Sequence, residues 1–399
     1  MKIAFLNTSV PVAPVWEDSF LRFREKGYEP VAIVVKGEYR IESKAERGSV
    51  TFQMIPCPAI FRKRKLVRHA LFALLSPWYL WRSGAEACVF LTQPPFFHAV
   101  GRWVCRLLGI PYAVHVMDEY PEVLFAAEKV KRSGWVGYIL RSLAGKSYQD
   151  ARGIVTLGPC ATRLMRNYFI PEHRIHEVPN WAFRDIHSVK KTENPFVSEH
   201  GLQDKFVVLY SGNLGLGHEI DAIARVVKEA QQYDDILFLF IGAGRGMELL
   251  REKLKEQSNV RFLPFLPESE LANSLSAASV HYVSLREPFS GVMVPSKIYG
   301  CFASGRPVIY EGPEGSTVAE MIGGANCGAV VRNGDSEGLL SAILEYRNNP
   351  EKQKEDGLAA KQSYEAAHTA DISADRYVGV VEEMFPIERL RKEGKDSGN

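Results

Sequence analysis

Short apolar runs alternate along the chain with segments of helical period, and this order of segments occurs twice. Residues 2–6, 30–35, 87–91, 111–117 and 153–157 are rich in Val, Ile, Leu, Phe and Ala. They are too short for buried helices and apolar at nearly every position, the mark of strands covered on both faces of a parallel sheet. Between them, 19–26, 98–108, 134–149 and 160–168 read as helices. Residues 182–205 turn polar and irregular, and then the pattern restarts. Strands are expected at 206–210, 236–241, 280–284 and 307–310. The first is followed by a helix with Ile220, Ile223, Ala224 and Val227 on one face. A helix is also expected near 268–278, and 336–383 reads as helical with hydrophilic faces. Two βαβ-type beginnings about one domain apart predict an α/β chain of two doubly wound domains, with ligands beyond the carboxyl ends of the strands. The expected division is a first domain at 1–185, a linker at 186–205, a second domain at 206–370, and a C-terminal helix with a charged tail at 371–399.

Length agrees with two domains, because 399 residues exceed the roughly 250–300 at which one core stops growing. Charge separates the two parts. Lys and Arg outnumber Asp and Glu by 26 to 16 over residues 1–185, and are outnumbered by 23 to 31 over 186–399. The basic first part suits an anionic partner such as a membrane surface or a phosphorylated lipid; opposite charges that help the two parts face each other are the alternative. No recognisable nucleic-acid motif accompanies the charge. The six cysteines show no metal spacing and read as reduced core residues of a cytosolic protein. The start, MKIAFLNTSV, suits a first strand rather than a secretory leader, and no run approaches the roughly 20 apolar residues of a membrane span.

Candidate chemistry gathers at the expected strand ends. The stretch 285–310, LREPFSGVMVPSKIYGCFASGRPVIY, runs from a loop with Arg286, Glu287, Ser290 and Gly291 through Pro295, Ser296 and Lys297 into a short helix. A helix start with an ammonium group beside it stabilises phosphate oxygens. The other reading makes Ser296 an N-cap and Lys297 a solvated surface residue. Two glycine-rich turns, SGNLGLGHE after 206–210 and GAGRG after 236–241, each weak alone, outline with Lys297 one cleft for a diphosphate. In the first domain, Asn7 to Ser9 and Asp118 stand at strand ends, where Asp118 is either a site carboxylate or the cap of a turn, and Glu119 or Glu122 are site groups or surface charges. The segment 61–82, FRKRKLVRHALFALLSPWYLWR, places Arg62, Lys63, Arg64 and Lys65 before Trp78 and Trp81. Such a segment lies in a membrane interface or forms a core helix with a solvated basic start.

The order of SGNLGLGHEID, FIGAGRGMELL, VRFLPFLP, SGVMVPSKIYG, ASGRPVIY and GANCGAVV resembles family 4 glycosyltransferases, most of all the branch that builds bacterial O-antigen and capsule sugars, among them N-acetylfucosaminyl transferases. The resemblance is strong over 206–345 and thinner before it, resting there on MDEYPE and VPNW. It implies the GT-B fold, in which two Rossmann-like domains face each other across a cleft, the first holding the acceptor and the second the nucleotide sugar. It further implies a retaining transfer, with no cofactor and no obligatory metal; no D-x-D motif follows a strand. The donor is then a nucleotide sugar, UDP-linked, and the acceptor a polyprenyl-diphosphate-linked or other glycan. The implied place of work is the cytoplasmic face of the cell membrane, without nucleic acid. By this reading the donor residues are Gly212, Asn213, Gly215, His218, Gly244, Arg245, Arg286, Ser290, Gly291, Pro295, Ser296 and Lys297. Asp118 and Lys297 are catalytic, and Arg62, Lys63, Arg64, Lys65, Trp78 and Trp81 belong to the acceptor and membrane side. Asn213 and His218 stand where many family members carry an arginine and a lysine, and Ser290 and Gly300 where many carry an E-x7-E pair, so Lys297 and Arg245 are expected to hold the diphosphate with Arg286 in reserve. Two rivals are a catalytically silent scaffold of the same fold and a UDP-sugar 2-epimerase.

Overall fold

Strand and helix alternate as expected in the computed structural model, which describes residues 1–8, 14–36, 51–62 and 64–387. The chain forms two units, Met1–Pro179 with Ala370–Asn399, and Asn180–Thr369. Ser9, Lys63 and the charged tail 388–399 lie outside the described residues.

The first unit runs β1 (Lys2–Leu6), α1 (Pro14–Glu25), β2 (Glu29–Val35), β3 (Thr51–Ile55), α2 (Lys65–Ser83), β4 (Ala87–Leu91), α3 (Phe97–Leu108), β5 (Tyr112–His115), α4 (Glu122–Ala126), α5 (Trp135–Asp150), β6 (Ile154–Thr156), α6 (Pro159–Met165) and β7 (Ile175–Glu177). Its seven strands are parallel in the order β3-β2-β1-β4-β5-β6-β7. The second unit contains α7 (Pro195–Glu199), β8 (Phe206–Ser211), α8 (Asp221–Glu229), β9 (Ile236–Ile241), α9 (Arg245–Lys253), β10 (Val260–Leu263), α10 (Leu271–Ser276), β11 (Val280–Ser284), α11 (Lys297–Ala303), β12 (Val308–Glu311), α12 (Thr317–Ala325), β13 (Gly328–Val331), α13 (Ser336–Asn348) and α14 (Pro350–Ala367). Its six parallel strands follow the order β10-β9-β8-β11-β12-β13. Each sheet reverses direction of growth once, between β1 and β4 and between β8 and β11. At such a switch point the flanking loops part and leave a crevice at the carboxyl edge.

The central strands are apolar because helices cover both faces. Every residue of β9 and of β4 is buried. Each Leu, Ile, Val or Phe so placed contributes roughly 1.5–3 kcal/mol relative to an exposed position.

Two boundaries differ from expectation. Residues 186–205 are folded into the second unit rather than linking two bodies. Asn194 caps α7 through the Phe196 N–H at 3.0 Å and donates from Nδ2 to the Asn273 carbonyl, while Phe196, Val197 and Leu202 are buried. Arg306 donates to the carbonyls of Val189 and Ser276, both at 2.9 Å. The polarity of this segment serves these bonds. The last helix, α15 (Ala370–Met384), packs on α1 of the first unit. Arg22 pairs with Asp371 and Asp375, and the Tyr28 hydroxyl donates to the Phe385 carbonyl at 3.0 Å.

Candidate functional site

Three loops of the second unit converge at the carboxyl ends of β8, β9 and β11. Backbone geometry holds the first two together. Gly212 N–H donates to Ile241 O, Leu214 N–H to Ala243 O and Gly246 N–H to Leu214 O, each at 2.8 Å. Gly244 has φ +120°, and a Cβ there would lie 2.6 Å from Asn213 Oδ1 and from the Leu214 carbonyl, so only glycine permits this approach. The third loop closes on the first through Arg286 N–H to Gly217 O at 2.8 Å. A Cβ on Gly217 would meet Met293 Sδ at 2.6 Å.

Lys297 reaches into this junction. Its Nζ donates to the Tyr210 hydroxyl, lies 3.4 Å from the Asn213 carbonyl, and stands 3.8 Å from the centroid of the Tyr210 ring. Tyr210 in turn donates to the Asn213 carbonyl at 2.8 Å. Gly212 makes room, since a Cβ on it would sit 3.3 Å from Lys297 Cε. No carboxylate among the described residues pairs with Lys297, although its side chain is only half-exposed. Surrounding protein pushes the ammonium pKa down to about 7. This overturns the reading of Lys297 as a solvated surface residue. Ser296 is no N-cap either, because it is already helical at φ −61°, ψ −18° and its exposed side chain makes no capping bond. With only seven residues, α11 adds a weak dipole, so the ammonium itself is the anion-attracting group.

The other expected donor residues divide into groups held by the fold and groups open to a ligand. His218 donates from Nδ1 to the Ser284 carbonyl at 2.6 Å, and burial first, Lys297 second, push its pKa down to about 3. It is therefore neutral near pH 7, with Nε2 as an acceptor. Arg286 is half-exposed, with Nη1 3.4 Å from the Leu216 carbonyl. Arg245 is exposed and makes no hydrogen bond or ion pair among the described residues. The turn Gly244–Gly246 is less of a phosphate cradle than expected, because the Gly246 N–H is occupied by Leu214 O. Gly215, Ser290, Gly291 (φ +75°) and Pro295 shape the two loops.

Two polar groups near these strand ends carry no mark of their own in the sequence. Tyr210 reads as the last apolar residue of a strand, and only the strand-end rule marks its hydroxyl. Glu311 ends β12 fully buried. Tyr282 OH donates to it at 2.6 Å and Gly334 N–H at 2.8 Å, and burial pushes its carboxyl up to about 7. Gly300, where the family resemblance led to the expectation of a carboxylate, is buried against Leu275 and Ile186.

In the first unit, Asn7 and Thr8 follow β1, and Thr8 N–H donates to Gln93 O beyond β4. Asp118 stands past β5, its N–H bonded to Thr92 Oγ1 at 3.1 Å. Burial raises its pKa and the Lys65 ammonium opposes that rise, which places the first residue of α2 within electrostatic range. Glu119 and Glu122 are not surface charges: both are buried. Tyr148 OH donates to Glu119 at 3.0 Å, and Glu122 accepts from Tyr168 OH at 3.1 Å and from Arg132. They hold α4 to α5 and to the strand ends. Arg62 donates to the Cys57 carbonyl at 3.3 Å, Arg64 lies over Phe61, and Arg64, Lys65, Trp78 and Trp81 are exposed. α2 runs unbroken through Pro77, and no helix of the described residues is long and apolar enough to cross a membrane. No group of three or more His, Cys, Asp or Glu placed to hold a metal occurs among the described residues.

Residues 12–181 match the model of a glycosyl transferase 4-like domain, and residues 205–349 that of glycosyl transferases group 1. The probable glycosyltransferase WbjE of Pseudomonas aeruginosa is 26% identical over 218 residues, 54% of this chain and 54% of that protein, so the match spans about half of this relative's length. Among solved structures, Alr3699/HepE of Anabaena in complex with UDP and glucose has a TM-score of 0.74 at 12% identity, covering 96% of this chain and 100% of that one. Sucrose-phosphate synthase of Thermosynechococcus elongatus gives 0.71 at 14%, over 96% and 99%. WaaG, a glycosyltransferase involved in lipopolysaccharide biosynthesis, gives 0.68 at 15%, over 96% and 100%. At such identities the structural likeness is one of fold alone.

Proposed function

From the premise that this chain belongs to the family 4 glycosyltransferases of the GT-B fold, we propose that it transfers a sugar, with retention at the anomeric carbon, from a UDP-sugar to a lipid-linked glycan in the building of a bacterial surface polysaccharide. The observation that carries this reading is Lys297, held by Tyr210 and the Asn213 carbonyl at the switch point of the second sheet with no acidic partner. The complex of HepE with UDP and glucose supports a uridine donor.

In the reaction the bond from the anomeric carbon to the β-phosphate oxygen breaks, a bond to the acceptor oxygen forms, and the acceptor hydroxyl loses its proton. Negative charge grows on the departing diphosphate, where Lys297, with Arg245 and Arg286 at the rim, neutralises it. Neutral His218 offers Nε2 to a donor hydroxyl. Retention without a covalent intermediate requires attack on the face from which the diphosphate leaves, so the freed β-phosphate oxygen takes the acceptor proton, and Asp118 is the acceptor-side carboxylate that orients the hydroxyl. Asp118→Asn should then lower transfer by about 10²-fold, the scale of a lost positioning contact, and leave UDP affinity unchanged. Equal loss of both would remove Asp118 from the acceptor side.

The depressed Lys297 pKa gives a second expectation. Near pH 7 the free ammonium is about half protonated, and the diphosphate favours its charged form, so binding takes up a proton. Affinity therefore falls as pH rises above about 7, by up to about tenfold per unit. A UDP-sugar suits the test because its diphosphate diester does not titrate there. Calorimetry in two buffers of different ionisation enthalpy at pH 8 should register proton uptake, which vanishes in Lys297→Ala. Uptake that persists in the variant would assign the proton elsewhere.

A further inference from the structure

In the first unit, α3 packs against both α2 and α5. Each helix turns one apolar stripe inward, with Phe72, Phe97 and Tyr148 in the core. Each also turns an apolar stripe outward. Trp78 and Trp81 stand on α2, Trp103 and Leu107 on α3, Trp135 and Tyr138 on α5, spaced three or four residues apart and so on one face of their helix. Leu107 is 86% exposed, Trp135 77% and Tyr138 75%, so no part of the described chain covers this face. Four of the chain's six tryptophans stand there. Scattered apolar surface residues need no explanation, but large aromatic groups on three adjoining helices mark an interaction surface.

Charge identifies the occupant. The three helices carry seven Lys and Arg and a single acid, Asp150; Arg102 is paired with it and Arg141 with the buried Glu122, and Lys65, Arg82, Arg106 and Lys146 are exposed. Guanidinium groups lie over exposed indoles, Arg82 at 5.2 Å from the Trp78 ring and Arg102 at 4.9 Å from that of Trp103. Indoles flanked by cations match the headgroup layer of an anionic bilayer, where amphipathic rings settle at the boundary and Lys and Arg meet phosphates. A second copy of the chain fits badly, because a symmetric contact would set the exposed Lys65, Arg82, Arg106 and Lys146 against the same four. We propose that the α2–α3–α5 face lies in the headgroup layer of an anionic membrane, so that the docking surface extends well beyond the basic start of α2. The proposal rests on the transferase reading only for the purpose of docking, which is to meet an acceptor carried by a lipid.

The test uses the full chain and vesicles of phosphatidylcholine with or without phosphatidylglycerol. The variant carries Trp103→Ser, Leu107→Ser, Trp135→Ser and Tyr138→Ser, all at exposed positions, and its thermal melt confirms folding. The wild type should co-sediment with the anionic vesicles and poorly with the neutral ones, and brominated lipid chains should quench its tryptophan emission. The variant should lose at least about tenfold in partitioning at unchanged UDP affinity. Absence of wild-type binding, undiminished variant binding, or a solution dimer that the variant converts to monomer without any vesicle binding would overturn the proposal. Failure of the transferase reading shows separately, as a Lys297→Ala chain that turns over donor normally whatever the vesicles do.

Discussion

Replacing Lys297 with alanine is expected to lower donor turnover by about 10²–10³-fold, the cost of removing one preorganised group from the site of developing charge. The effect should fall on both KM and kcat, because the ammonium already holds the diphosphate of the bound donor and holds it more strongly as the glycosidic bond breaks and charge grows there. Arginine should not restore the rate. Lys297 Cε already sits where a Cβ on Gly212 would be 3.3 Å away, and a planar guanidinium does not fit between that backbone and the Tyr210 ring. Removal of the amine also leaves the Tyr210 hydroxyl one donor short, a loss of roughly 0.5–1.5 kcal/mol in stability. A thermal melt therefore accompanies the kinetics across a panel of UDP-sugars. A near-normal melt with a collapsed kcat/KM supports the assignment, and an unchanged rate sinks it. Release of UDP that requires an acceptor separates a transferase from a silent scaffold.

The strands that the chain announces are the inner ones. β1, β2, β4, β8, β9 and β11 are buried along nearly their whole length, and such strands read as continuous apolar runs. The four left unplaced, β3, β7, β10 and β13, are the outermost strands of the two sheets. Only one neighbour covers each, their residues are largely half-exposed, and no apolar run results. The crossing of the chain back to the first unit at Ala370 was equally illegible, because α15 has the same amphipathic character as α13 and α14. Its partner is decided by long-range contacts such as Arg22 with Asp371. The site was legible where it depends on strand ends and glycines. It was illegible where a group is defined by what packs on it: Tyr210 as the anchor of Lys297, Glu311 as a buried carboxyl, and Glu119 and Glu122 as internal struts. The exposed aromatic surface of the first unit shows the same division. A basic, aromatic α2 is visible in sequence, whereas its union with α3 and α5 exists only once the three helices lie side by side.

Gly242→Ala is expected to be the most damaging single-atom change at the site. Gly242 has φ +134°, a region that non-glycine residues avoid at about 1–3 kcal/mol, and its Cβ would lie 2.2 Å from the Gly212 carbonyl oxygen and 2.8 Å from its carbon. Neither backbone yields easily. Gly212 N–H is bonded to Ile241 O and Gly242 N–H to Leu263 O at 2.9 Å, so relief requires breaking the seam between the β8 and β9 loops. Overpacking adds about 1–3 kcal/mol, for a total of roughly 2–6 kcal/mol. In a unit of this size that lowers the melting temperature by roughly 5–20 °C. Gly334→Ala is the matched control. Gly334 also has positive φ, +81°, but a Cβ there meets nothing within 4 Å, so the loss is limited to about 1–2 kcal/mol of backbone strain. Because the Gly212 to Leu214 strip carries the Asn213 carbonyl that helps hold Lys297, Gly242→Ala should also weaken UDP binding at temperatures where the chain remains folded, and Gly334→Ala should not. A Gly242→Ala chain that melts no earlier than Gly334→Ala and binds UDP normally would show that the close seam between the two loops is not what sets Lys297 in place.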